Sequence, residues 1–278
     1  MHSYVRSGLT FDVTDEGPAD GRVLIALHGF PEDRRSWSEV IPHLTGQGVR
    51  VLAPDQRGYS TGARPRRRRA YALNELTADV LAMADVAGAD RFDLVGQDWG
   101  AAVAWDLSGR HPDRVRTLTA LSVPPAKALR DSVLHSSQVL RSWYMAFFQL
   151  PRVPETLLKA AGAERAATSF ERQGLDRGTA RRYAARVANP ADSRGPINWY
   201  RAIPFAPRPA APPVAVPTLF VYGDQDRYLT RTAAERAGRH VAGPYQFEVL
   251  DGATHWLPTG APDEVSKLIV RHLADHPG

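Results

Sequence analysis

Phe92-Asp93-Leu94-Val95-Gly96-Gln97-Asp98-Trp99-Gly100-Ala101-Ala102 is the stretch on which the fold turns. Its first half is a short apolar run suited to a buried strand, and its second half opens a helix on small residues. Between them, Gly-x-Asp-x-Gly puts Asp98 at the nucleophile position of a strand-turn-helix elbow that usually holds serine. Small neighbours are needed there because so sharp a turn leaves no room for side chains beside the nucleophile. An aspartate that merely caps a helix fits the same letters. The choice between the two readings rests on whether chemical partners for Asp98 occur elsewhere.

Short apolar runs recur on both sides of this elbow, at 23–27, 51–53, 118–121, 219–222 and 247–250. Most lack polar alternation and read as strands buried on both faces. Helical spacing intervenes: Trp37, Val40, Ile41 and Leu44 share one face, as do Leu73, Leu76, Val80 and Met83. Alternating strands and helices predict an α/β chain with a mostly parallel sheet covered on both sides. The alternation stops at about Ala126. Arg- and Ala-rich helical patterns then run to the proline-rich stretch 207–213. Residues 1–125 and 214–278 are therefore expected to form the core, with 126–213 inserted as a helical cap and 262–273 as a final helix.

The chain has 278 residues, 43% of them hydrophobic and 23% charged, which suits one globular domain with an insertion. A net charge of +5 and the run Arg66-Arg67-Arg68-Arg69 raise the question of an anionic partner. Only Lys127, Lys159 and Lys267 are lysines, so arginine supplies the charge, as GC-rich coding produces. The run lacks the interleaved aromatics that stack on nucleobases, and it reads as a solvated loop. Nucleic acid and membrane partners are not expected. No cysteine is present, which excludes thiolate catalysis and disulfides. The N-terminal residues lack an apolar signal core and no run reaches membrane-spanning length, so a cytoplasmic location is expected. Monomer and homodimer stay equally open.

Two strand-end loops offer the partners. Val249-Leu250-Asp251-Gly252-Ala253-Thr254-His255 places His255 after the last strand as a general base. Leu219-Phe220-Val221-Tyr222-Gly223-Asp224-Gln225-Asp226 offers two aspartates, of which Asp226 has the favoured Gly-x-x-Asp spacing. It would hold the imidazole tautomer and stabilise the imidazolium. Leu27-His28-Gly29-Phe30-Pro31 follows a strand, so the backbone N–H of Phe30, with that of Trp99, is expected to form an oxyanion hole. His28 is read as structural. No His-x-His or His-Glu-x-x-His pattern points to a metal, and no organic cofactor is expected. A carboxylate nucleophile also restricts the reaction. Attack on an ester carbonyl would give an anhydride, whereas attack on saturated carbon gives an alkyl ester that water can cleave.

His-Gly-Phe-Pro, Asp55-Gln56-Arg57-Gly58-Tyr59-Ser60, Gly-Gln-Asp-Trp-Gly and the Gly-x-x-Asp…His pair together resemble the epoxide hydrolase and haloalkane dehalogenase branch of the α/β-hydrolase superfamily. The resemblance spans both halves of the core. It implies a cap over the site, carrying in epoxide hydrolases two tyrosines that hold the epoxide oxygen. Pro196-Ile197-Asn198-Trp199-Tyr200-Arg201 resembles one such segment and nominates Tyr200; Trp143-Tyr144-Met145-Ala146-Phe147-Phe148-Gln149 resembles the other and nominates Tyr144. The expected substrates are a small epoxide and water. Many epoxide hydrolases have histidine just before the nucleophile, where this chain has Gln97, and glutamine there also occurs among dehalogenases. A dehalogenase with Trp99 near the halide is thus the nearest rival, and a silent binding protein of the same fold a more distant one. A phenol pair favours the epoxide, because ring opening releases a basic alkoxide that needs a proton donor, whereas halide does not.

Overall fold

The structure is a computed structural model that describes residues 1–133 and 136–277. Eight strands form one sheet: β1 (Ser3–Arg6), β2 (Leu9–Glu16), β3 (Arg22–Leu27), β4 (Val49–Pro54), β5 (Phe92–Gln97), β6 (Val115–Leu121), β7 (Thr218–Gly223) and β8 (Tyr245–Leu250). Their order is β1-β2-β4-β3-β5-β6-β7-β8, with β1 and β2 antiparallel and the rest parallel. Leu27 pairs with Gly96, Gln97 with Leu121, Leu121 with Val221 and Gly223 with Leu250. The carboxyl ends of β3, β5, β6, β7 and β8 thus share one edge, where open α/β sheets bind ligands.

Between β3 and β6 run α1 (Ile41–Thr45), α2 (Leu73–Val86) and α3 (Trp99–Arg110). The strand residues alternate between two cores. Val23, Ile25 and Leu27 face the side covered by Leu76, Val80, Met83 and Val103, while Leu24 and Ala26 face Trp37, Ile41 and Leu44 and the C-terminal Val265 and Ile269. Two-sided burial explains the continuous apolar runs. The single helix face expected over Trp37–Leu44 is interrupted: a 3₁₀ turn covers Arg34–Trp37 and α1 starts afresh at Ile41. Pro42 sits in the first turn of α1, where its missing N–H is harmless; deeper in a continuous helix it would break the ladder.

From β6 to β7 the described residues hold helices and no strand: α4 (Ala126–Val133), α5 (Gln138–Arg141), α6 (Trp143–Phe147), α7 (Val153–Ala161), α8 (Ala163–Glu171), α9 (Arg177–Ala188) and α10 (Pro190–Ala202). Specific bonds fasten this segment to the sheet. Trp199 Nε1 donates to the Arg57 carbonyl at 2.7 Å, Arg186 pairs with buried Asp33 at 3.1 Å, and Arg141 donates to the Asp226 carbonyl at 2.7 Å. After β7 come α11 (Arg231–Glu235), α12 (Leu257–Gly260) and α13 (Pro262–Asp275). In the arginine run, Arg68 and Arg69 lie over the Phe205 ring at 5.4 and 5.3 Å. No described helix is long and apolar enough to cross a membrane.

Candidate active site

Asp98 joins β5 to α3 at φ 51°, ψ −117°, a conformation that costs a non-glycine residue on the order of 1–3 kcal/mol. Two glycines make the turn possible. A Cβ on Gly96 would lie 2.3 Å from the Gly100 carbonyl oxygen, and one on Gly100 would lie 2.2 Å from that of Leu27. The strained turn lifts the Asp98 carboxylate beyond the sheet edge, where the Phe30 N–H donates to its Oδ1 at 2.9 Å. Trp99 is the first residue of α3, so its N–H has no acceptor within the helix. Of the two amides expected to form the oxyanion hole, that of Phe30 thus bonds the carboxylate, and that of Trp99 follows Asp98 directly in the chain.

His255, in the loop after β8, is buried with Nε2 3.4 Å from Asp98 Oδ2. Its Nδ1–H donates to Asp226 Oδ2 at 2.7 Å. Asp226 Oδ1 in turn accepts from the Tyr228 and Leu229 amides at 2.7 and 2.9 Å, which fixes the carboxylate in its loop. Asp224 points elsewhere and accepts from the Gly252 amide at 2.8 Å. Burial disfavours the charged imidazole, but the Asp226 and Asp98 carboxylates outweigh it and raise His255 to about 10. The free site therefore holds an imidazolium between two carboxylates.

Tyr200 is buried on α10 and Tyr144 partly buried on α6, their ring centroids 5.9 Å apart. Both line a cavity of about 570 Å³ that also takes in Asp98, His255 and Phe30. Burial pushes both phenols well above the ordinary value, so they stay protonated through the neutral range. Three successive residues of α10 reach three neighbours, as 100° steps around a helix require. Trp199 bonds to the core, Tyr200 packs edge-on against Phe30 (5.4 Å), and Arg201 grips Glu155 on α7 and the carbonyls of Phe148 and Leu150. Gln149 also donates to the Tyr200 carbonyl at 2.7 Å. Arg201 and Gln149 thus tie the two tyrosine-bearing segments together.

With this geometry in hand, the match to known proteins is direct. A family model for the alpha/beta hydrolase fold covers residues 22–260. The chain belongs to that family. Epoxide hydrolase A of Mycobacterium tuberculosis is 34% identical to this α/β hydrolase, covering 96% of this chain and 95% of that one. Epoxide hydrolase 4 of Homo sapiens is 32% identical over 99% of this chain and 79% of its own. The crystal structure of epoxide hydrolase A from Mycobacterium thermoresistibile superposes with a TM-score of 0.84 at 28% identity, over 98% and 97% of the two chains.

The α/β-hydrolase site also contains residues that the sequence reading passed over. Gln97 Nε2 and Ser122 Oγ both donate to the His255 carbonyl, at 2.6 and 2.8 Å, and hold the histidine loop against β5 and β6. Ser122 follows a strand end, which was its only sequence signal. Tyr228 packs its ring on His255 at 4.8 Å and donates its hydroxyl to Gln173 on the inserted segment. Glu32 is fully buried, accepts from the Gly29 amide at 2.6 Å, and is raised by burial to about 8. Its position directly after His-Gly-Phe-Pro was the available clue. His28 donates Nδ1–H to the Gly29 carbonyl and accepts from the Gln56 amide, with both ring nitrogens engaged away from the cavity.

Proposed function

We propose that this chain is an epoxide hydrolase that adds water to an epoxide through an alkyl ester on Asp98. The observation that carries the reading is one cavity bounded by the Asp98 carboxyl group, a carboxylate-held imidazole and two phenols that burial keeps protonated. Residues 126–213 serve as the cap, bringing Tyr144 and Tyr200 to a sheet edge that supplies Asp98, Asp226 and His255.

In the first step an Asp98 oxygen attacks a ring carbon, the carbon–oxygen bond breaks, and the departing oxygen takes a proton from the Tyr144 and Tyr200 phenol pair that hydrogen-bonds it. A phenol suits this role because it is an acid at neutral pH that does not surrender its proton to water. The resulting ester removes the negative charge that faced His255 Nε2. His255 then gives up its extra proton, which replaces through solvent the one the phenols passed to the departing oxygen; the neutral imidazole takes a proton from water, and the hydroxide adds to the Asp98 carbonyl carbon. A tetrahedral oxyanion forms near the Phe30 and Trp99 amides, and one such donor contributes roughly 10²–10³ in rate. Collapse releases the diol and restores the carboxylate.

Assaying styrene oxide, a long-chain epoxide and a haloalkane together for diol and halide tests the reading. Diol formation without halide release is expected, and halide release without diol would replace it with a dehalogenase. In ¹⁸O-water under single-turnover conditions, the first diol is expected to carry unlabelled oxygen from Asp98. Solvent label in that first diol would refute the ester.

A further inference from the structure

The outer side of a helix is normally polar, and α7 breaks that rule. Its Pro154 and Glu155 are buried and its Leu158 lines the cavity, so the opposite face carries Val153, Thr156, Leu157 and Ala160, all exposed. Nine large apolar side chains are exposed among the described residues, and six of them fall between positions 139 and 157: Val139, Leu140, Trp143, Leu150, Val153 and Leu157. Scattered singly they would need no explanation, but a cluster marks a contact. Leu140 and Trp143, 75% and 65% exposed, line the same cavity as Leu158, and Arg201 bonds both the Leu150 carbonyl and the Glu155 carboxylate. The exposed residues of α5, α6 and α7 thus gather around one cavity. Charge is divided just as unevenly. Residues 126–213 hold fourteen Lys and Arg against six Asp and Glu, a net +8, which leaves the rest of the chain at −3. Arg182, Arg186 and Arg201 are paired, whereas exposed Arg152, Lys159 and Arg165 form no salt bridge among the described residues. Arg152 and Lys159 flank the apolar face of α7, and Glu164 is the one exposed acid between them and Arg165.

We infer that this face of the inserted segment docks on an anionic phospholipid bilayer, with Trp143, Leu150, Val153 and Leu157 entering the headgroup boundary and Arg152 and Lys159 meeting the phosphates. The contact concerns a surface and holds whatever chemistry Asp98 performs. A second copy of the chain is the other candidate occupant. An isologous contact would set two +8 segments against each other, and a contact with the −3 core would be heterologous and leave one apolar face uncovered at the end of every assembly. A bare polyanion would satisfy the arginines and leave Trp143 and Leu157 in water. A bilayer surface satisfies both, because it attracts cations before contact and buries apolar side chains on contact, and indole suits its interface. The sequence expectation of no membrane partner rested on overall charge and on the lack of a run of spanning length. An interfacial contact needs only a local basic and apolar face.

The test measures co-sedimentation of the full chain with phosphatidylcholine vesicles that contain either no phosphatidylglycerol or about 30 mol% of it. The wild type is expected to bind the anionic vesicles at least about tenfold more tightly than the neutral ones at low salt, and to be released as ionic strength rises. At about fivefold per cation near the surface, the double variant Arg152→Ser/Lys159→Ser is expected to weaken binding roughly twentyfold. Leu157→Ser removes an inserted side chain and is expected to weaken it about tenfold. Val5→Ser and Val86→Ser, at exposed apolar positions outside the inserted segment, are expected to change nothing. All of these positions are exposed, so the substitutions leave the core packing intact. Failure of the wild type to bind anionic vesicles overturns the inference. So does binding that Leu157→Ser leaves intact, which is plain attraction of arginine to a polyanion. A lipid-free dimer in light scattering that Leu157→Ser dissociates overturns it as well, because the face then belongs to a second copy.

Discussion

Removing the imidazole while keeping its shape, His255→Gln, is the perturbation that best separates the two chemical steps. Nε2 lies 3.4 Å from Asp98 Oδ2, and His255 is held at about 10 by its two carboxylates. Unit charges at that distance attract by on the order of 5 kcal/mol at an effective dielectric of about 20. Neutralising Asp98 as an ester removes that attraction and so lowers His255 from about 10, while the larger contribution of Asp226 remains. On the proposed mechanism, ester formation shifts a resting imidazolium toward its basic form. The first step does not need the neutral imidazole and is expected to be flat between pH 6 and 9, whereas ester hydrolysis is expected to rise with pH as His255 loses its proton. Stopped-flow tryptophan fluorescence reads both phases, since Trp99 adjoins the reacting carboxylate. In His255→Gln hydrolysis is expected to fall by roughly 10²–10⁴, with the ester accumulating as added mass equal to one substrate on Asp98. A variant that turns over normally, or a first phase with the same pH rise as the second, would refute the reasoning.

Four other outcomes follow from the same geometry. Asp226→Asn replaces an acceptor 2.7 Å from Nδ1 with a group that cannot hold the imidazolium, and hydrolysis is expected to drop by up to about 10⁴ with Tm little changed; an undiminished second phase in rapid mixing would sink this. Tyr200→Phe removes a buried donor from the cavity without changing ring packing, so the ester-forming phase is expected to slow by about 10² while hydrolysis is spared; equal slowing of both phases would contradict the assignment. Glu32 stays protonated to about pH 8 when folded but ionises near 4.5 when unfolded, so the wild type loses stability as pH rises through that window. The Tm advantage of Glu32→Gln is thus expected to grow from pH 5 to pH 8 in a thermal melt, and a pH-independent gap would count against the burial argument. Arg201→Met leaves the buried Glu155 carboxyl group without its partner. A loss of about 3 kcal/mol in urea unfolding is expected, and a neutral result would show that the pair is not needed.

What the sequence disclosed depended on whether a residue's role is set locally or by distant neighbours. The parallel strands were legible because burial on both faces removes polar residues over several positions, as at Leu24–Leu27 and Leu219–Tyr222. β1 and β2 carry a different signal. They bury alternate residues only, Tyr4 stacking on Phe11 at 4.7 Å while Ser3 and Thr10 face outward, and a search for continuous apolar runs passes over them. The site divides in the same way. Asp98, Asp226 and His255 each stand at the end of a strand, so the register of a parallel sheet carries them to one edge, and their letters can be found by counting from strand ends. Tyr144 and Tyr200 occupy no such frame and were nominated by resemblance alone. What puts both on one cavity is a set of long-range bonds: Trp199 to Arg57, Arg201 to Glu155 and the Phe148 carbonyl, and Gln149 to Tyr200. Gln97 shows the limit most clearly. Beside the nucleophile it looked like a departure from a family pattern, yet its amide holds the carbonyl of His255, 158 residues away, at 2.6 Å. A short polar bond across the sheet edge supplies the reason for glutamine at this position, and only the folded chain contains it.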